Sequence, residues 1–171
     1  MGVGIVNRVL VAGTTLHFWS QEREIVVILS REFPGEVVHR PHPRRGGSWQ
    51  WSAMMELKNQ LTQARCVVAA FSTVVIEAAL LGCPTILVGF GNGEQGQALN
   101  HWSYEHMAGI ASWPLIRIAK SESQLVALVR ERLTSQLNEH DRAELRRLAL
   151  RVAYCAPGIQ ERIAEAIEAA R

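Results

Sequence analysis

Short, mostly apolar runs alternate along the chain with longer stretches in which apolar residues recur every three or four positions. The first pattern predicts strands buried on both faces, and the second predicts helices with one face turned inward. Residues 8–13 (RVLVAG) form the first run and end in glycine, with Thr14, Thr15, Leu16 and His17 as the following loop. Residues 19–33 place Ile25, Val26, Ile28 and Leu29 on one side, and Glu22, Arg23, Glu24, Arg31 and Glu32 on the other. That is a helix, capped at or just before Ser20 and stopped by Pro34-Gly35. Residues 36–40 predict a second strand, closed by Pro41-His42-Pro43, because proline cannot donate to a ladder.

A polar loop with two glycines, 44–51 (RRGGSWQW), precedes a helix expected at 52–63, with Leu57 and Leu61 inward and Ser52 as its N-cap. The third strand is expected at 65–71, a short helix at 73–81 ended by Gly82 and Pro84, and the fourth strand at 85–90. The polar loop at 91–101 (GNGEQGQALNH) has a length that is usually functional or mobile inside a compact domain. A short helix at 102–110, a fifth strand at 114–119 and a helix at 122–133 capped by Ser121 follow, with Arg130 and Arg132 in the last turn.

This alternation predicts an α/β fold: a Rossmann-like parallel sheet with helices on both faces. Residues 138–171 read as two helices broken at Pro157-Gly158. The chain is therefore expected to divide into an α/β domain at 1–135 and a helical C-terminal tail at 136–171 packed on it. The arginines of the tail (Arg142, Arg146, Arg147, Arg151) read as a solvated face in preference to a membrane or nucleic-acid patch.

Composition narrows the class. The chain has 171 residues, 48% hydrophobic and 20% charged, which suits one globular core with at most a small appendage. A formal net charge of +2 argues against a dedicated nucleic-acid binder. Cys66, Cys83 and Cys155 lack metal-type spacing and read as reduced core thiols of a cytoplasmic protein. Residues 1–11 carry no charged n-region and are not read as a signal peptide. No apolar run approaches the roughly 18 residues that span a bilayer.

Candidate chemistry follows from the topology, since an open parallel sheet binds ligands beyond the carboxyl ends of its strands. Gly13, Thr14, Thr15 and His17 follow the first strand, and His42, Arg44 and Arg45 the second. Ser72 and Thr73 follow the third, and Gly91, Asn92 and Gly93 the fourth. Ser72-Thr73 opens a helix, where hydroxyls and backbone N–H groups together suit a phosphate or diphosphate. Glu77, one turn on, is placed to accept from the vicinal hydroxyls of a ribose. The competing reading makes Ser72 an N-cap and Glu77 a surface residue. His42, held between prolines, is placed to donate to a phosphate oxygen or a leaving group, against the alternative of a loop histidine with no role.

Other motifs carry less. Residues 91–96 (GNGEQG) match G-x-G-x-x-G but follow the fourth strand and lead into no amphipathic helix, so they read as a loop. His101, Glu105, His106 and His140 do not form a metal set. Trp49 and Trp51 could stack on a base or sugar, although packing over a sheet edge is the commoner use of tryptophan. The chain has no Gly-x-Ser-x-Gly elbow and no Walker lysine.

Arg40-x-His42-Pro43 at a strand end, followed by the pattern A-x-x-V-V-x-x-F-S-T-x-x-x-E-A-x-x-x-G-x-P, resembles the C-terminal nucleotide-binding half of GT-B glycosyltransferases. The nearest versions are bacterial surface-polysaccharide enzymes, CDP-glycerol glycerophosphotransferases and UDP-GlcNAc 2-epimerases. The resemblance covers roughly residues 8–133. It implies one half of a GT-B fold. Ser72 and Thr73 would hold a nucleotide diphosphate, with Arg40, Thr14 and Gly91 around it, and Glu77 the ribose. His42, near the leaving group, would be the catalytic residue. Glu105-His106 would contact the sugar or base. The substrate implied is a nucleotide-diphosphate sugar, with no metal and no further cofactor, for transfer of a glycosyl or glycerophosphoryl-type group in polysaccharide biosynthesis.

A GT-B enzyme has two such domains, and this chain is long enough for one. The resemblance therefore implies a fragment, one half of a split enzyme, or a degenerate remnant, with the acceptor held by an N-terminal domain or partner subunit. Any membrane association would be peripheral and through that partner. Two alternatives stand beside this reading: a non-catalytic interaction domain that kept the fold, and half of a sugar-nucleotide epimerase.

Overall fold

A computed structural model describes residues 8–13, 21–42, 51–70, 72–91 and 109–153. Its strands are β1 (Arg8–Ala12), β2 (Val37–Arg40), β3 (Ala64–Ala69), β4 (Thr85–Val88) and β5 (Ile116–Ala119). Its helices are α1 (Glu22–Glu32), α2 (Trp51–Gln63), α3 (Val74–Leu80), α4 (Glu122–Thr134) and α5 (Glu139–Ala153), with a 3-10 turn at Ile110–Ser112. All strand pairs are parallel, in the order β2-β1-β3-β4-β5. The α/β fold with a parallel, Rossmann-like sheet flanked by helices is the one predicted.

Strand alternation sends side chains to both faces, and both are buried. Val9 and Val11 of β1, Cys66 and Val68 of β3, and Ile86 and Val88 of β4 pack with Ile25 and Leu29 of α1 and Leu125 and Val129 of α4. Leu10, Val67, Ala69 and Leu87 point the other way, against Leu57 and Leu61 of α2, Val75 and Ala78 of α3, and Leu145 and Ala149 of α5. Two covered faces explain why these strands read as continuous apolar runs. Each fully buried valine or leucine contributes about 1.5–3 kcal/mol.

Ser121 caps α4 as predicted, its Oγ accepting from the Gln124 N–H at 3.2 Å. Leu115, with φ 63°, breaks the extended run, so β5 begins at Ile116 and not at 114. β4 stops at Val88, two residues short of the expected end. Trp51 already belongs to α2, so Ser52 lies inside that helix and does not cap it. Cys66 and Cys83 are buried free thiols, as expected, and burial pushes Cys83 up to about 12. Cys155 and the last expected helix lie outside the described residues, as does nearly all of the helix expected at 102–110. No described helix is long and apolar enough to cross a membrane.

Glu22 departs most from expectation. The sequence pattern puts it on the polar face of its helix, yet it is 1% exposed. Its Oε1 lies 2.7 Å from His39 Nε2 on β2, so a hydrogen-bond partner across the sheet edge takes the place of water.

Candidate functional site

The strand order reverses between β1 and β3: the chain steps from β1 outward to β2, then returns past β1 and builds β3, β4 and β5 on its other side. The loops leaving β1 and β3 therefore diverge to opposite faces and leave a crevice at their carboxyl ends, where open α/β sheets bind ligands. A small, open cleft lies there, lined from β1 by Ala12 and Gly13, from the end of β2 by Arg40 and His42, and from the β3–α3 turn by Ser72, Thr73 and Glu77.

Six residues singled out in the sequence thus meet in one place: Gly13, Arg40, His42, Ser72, Thr73 and Glu77. Arg40 closes β2 on the α2 side. Its Nη2 donates to the Ala53 carbonyl at 2.7 Å and its Nη1 to Gln60 Oε1 at 3.1 Å. The guanidinium thereby fastens α2 to the strand end and brings a fixed positive charge to the cleft. Pro41 also lines the cleft, and His42 is half-buried at its edge. Ser72 Oγ accepts from the Val74 N–H at 3.3 Å, so it also caps the first turn of α3, in keeping with the simpler reading. Thr73, at the N-cap position, makes no side-chain cap bond, and it is exposed. Its hydroxyl is not used in capping the helix.

Glu77 sits one turn into α3 and is half-buried. Burial raises its carboxyl above the ordinary carboxylate range, and the Arg40 charge acts in the opposite direction with less effect. A carboxylate kept partly from water beside a fixed cation is a strong acceptor for hydroxyl donors.

Gly91 follows β4 and does not line this cleft; its φ of 132° and the Gln21 side chain against it leave no room for a Cβ. Thr14, Thr15, His17, Arg44, Arg45, Asn92, Gly93, His101, Glu105, His106 and Trp49 lie outside the described residues. Among the described residues no group of three or more His, Cys, Asp or Glu is placed to hold a metal. The large hydrophobic side chains exposed among them, Val27, Met55 and Leu150, sit on three different helices.

Sequence reasoning missed the Glu22–His39 pair and Leu57 in the cleft wall. A signal for Glu22 was present: position 22 is in helical phase with Ile25 and Leu29, both buried.

Neither a family model nor a curated protein sequence matches this chain. Among solved structures, one described as the glycotransferase of kitacinnamycin aligns with a TM-score of 0.53 at 14% identity. The alignment covers 98% of this chain and 44% of that one, so this chain spans less than half the length of that protein. This chain therefore has a Rossmann-like α/β fold shared with part of a glycosyltransferase.

Proposed function

We propose that this chain is the donor-binding half of a GT-B-type glycosyltransferase, and that the cleft between the ends of β1 and β3 holds the nucleoside diphosphate of a nucleotide sugar. One observation carries the reading: Arg40, His42, Ser72, Thr73 and Glu77, far apart in sequence, line a single cleft at the point where strand order reverses. The Thr73 hydroxyl and the N–H groups of the β3–α3 turn take the diphosphate, and the fixed Arg40 charge offsets its charge. The Glu77 carboxylate accepts from the two ribose hydroxyls. His42 at the rim donates to the departing diphosphate, so that charge developing on the leaving group meets a placed donor and a cation. Glu105-His106 contacts the sugar or base. The glycosyl acceptor is held by another domain or subunit.

Isothermal titration of the chain with UDP, CDP, GDP and dTDP tests this. One of the four should bind, and Glu77→Ala and Thr73→Val should each weaken it at least tenfold, about 1.4 kcal/mol. Failure of all four to bind, or binding indifferent to Glu77→Ala, would refute the reading.

A further inference from the structure

The first turn of α1 presses two consecutive side chains against two glycines at the ends of different strands. A Cβ on Gly13, at the end of β1, would lie within 2.8 Å of all three carboxyl atoms of Glu22. A Cβ on Gly91, after β4, would lie within 2.8 Å of the amide end of Gln21. Gly91 also has a backbone conformation that favours glycine, with φ 132°, whereas Gly13 is not among the glycines of positive φ. At position 13, then, the backbone would accept any residue, and what excludes a side chain is the Glu22 carboxylate. That carboxylate cannot readily swing away. The Glu22 side chain is buried, and His39 Nε2 on the neighbouring strand holds its carboxylate at 2.7 Å. Gly13 in turn bonds across to β2, its N–H donating to the Arg40 carbonyl at 2.8 Å.

These contacts fix relative positions that matter for the cleft. Gly13 is part of its wall, and Arg40 and His42 come from the strand to which Gly13 and Glu22 are both tied. We infer that Glu22 is a positioning residue of the donor site: through Gly13 and His39 it sets the spacing between the ends of β1 and β2, and with it the placement of Arg40 and His42 around the bound diphosphate. The inference rests on the donor-site reading above. Glu22 lies behind Gly13, on the α1 face of the sheet, and does not line the cleft. A shift of about 1 Å in groups that clamp a ligand can cost up to a hundredfold.

A binding cycle on the full chain tests it. The wild type is titrated with UDP, CDP, GDP and dTDP, and the tightest binder is used for every variant. Titrations are run below the lowest unfolding midpoint, with folding verified by circular dichroism. Glu22→Ala and Gly13→Ala are each expected to weaken binding about tenfold. Combined, they should lose little more than either alone, because the methyl introduced at position 13 then enters the space the carboxylate has left. Glu22→Gln, which keeps the shape and a bond to His39, should restore near-wild-type affinity. His39→Ala, a change at a half-buried side chain, should weaken binding several-fold and serves if Glu22→Ala does not fold.

A purely structural role would lower the melting midpoint of these variants and leave their affinities alone. Wild-type affinity in both Glu22→Ala and His39→Ala therefore overturns the inference while leaving the donor site standing. Full additivity of the Gly13→Ala and Glu22→Ala losses also overturns it, since the added methyl would then obstruct the ligand directly. Absence of binding by the wild type refutes the donor site, and the inference falls with it.

Discussion

Replacing Glu77 with glutamine should move binding and stability in opposite directions. The folded chain holds this carboxyl at a pKa above its ordinary value, chiefly because burial disfavours the charged form. Between the ordinary value, which applies to the unfolded chain, and the raised folded value, the folded state binds more protons than the unfolded state. Stability therefore falls as pH rises through that window, and the loss persists at neutral pH. Glutamine has no proton to lose. Glu77→Gln should be more stable than wild type at neutral pH and should lack this part of the pH dependence. Binding goes the other way, because the amide replaces a charged acceptor with a neutral one. A hydrogen bond to a charged group is worth about 1.5–3 kcal/mol, so affinity for the nucleoside diphosphate should drop roughly ten- to a hundredfold. Denaturant melts from about pH 4 to about pH 8 give the stability profile, and calorimetry gives the affinity. A variant that loses stability at neutral pH together with its binding would show that Glu77 supports the fold, and the argument from its environment would be wrong.

Leu145→Ala removes a fully buried side chain shared between α5 and α3 and should cost about 2–5 kcal/mol in denaturant unfolding. Gly82→Ala meets two obstacles, a φ of 69° and the Arg146 guanidinium within 2.9 Å of the new Cβ, and should lower the thermal midpoint by several degrees, at a cost of about 1–3 kcal/mol. Thr85 is 1% exposed and its hydroxyl has no partner among the described residues, so Thr85→Val should stabilise the chain by about 1 kcal/mol in the same assay. With Cys83 at about 12 and Cys66 raised further by burial, neither thiol should react with iodoacetamide in the native chain at neutral pH, and both should react in urea.

The sheet was legible because its central strands are buried on both sides, and a run such as Val9–Leu10–Val11 between polar, glycine-marked loops fits such a strand and little else. The strand ends followed from glycine and proline, and so the residues at those ends could be named before their geometry was known. The boundaries erred where a backbone torsion decided the matter, as at Leu115. Glu22 was misplaced because charge was weighed above helical phase; the partner that permits its burial, His39, belongs to a strand that only tertiary structure brings near. For the same reason the bonds from Arg40 to Ala53 and Gln60 could not be read, since nothing local indicates that α2 turns back over the end of β2.

The helix that follows Thr73 and carries Glu77 is only seven residues long, too short to hold its shape alone. Its outer face rests on α5, where Leu145 and Ala149 share a core with Val75 and Ala78, and Arg146 lies over Gly82 at its end. The order of the cleft is thus maintained by a segment that contributes no side chain to it. Local opening of α5 would release α3 as well, so the two helices should exchange amide hydrogens as one cooperative unit. Cutting the chain just after α4, a natural place to trim a Rossmann-like unit, would spare every residue of the cleft and still dissolve it.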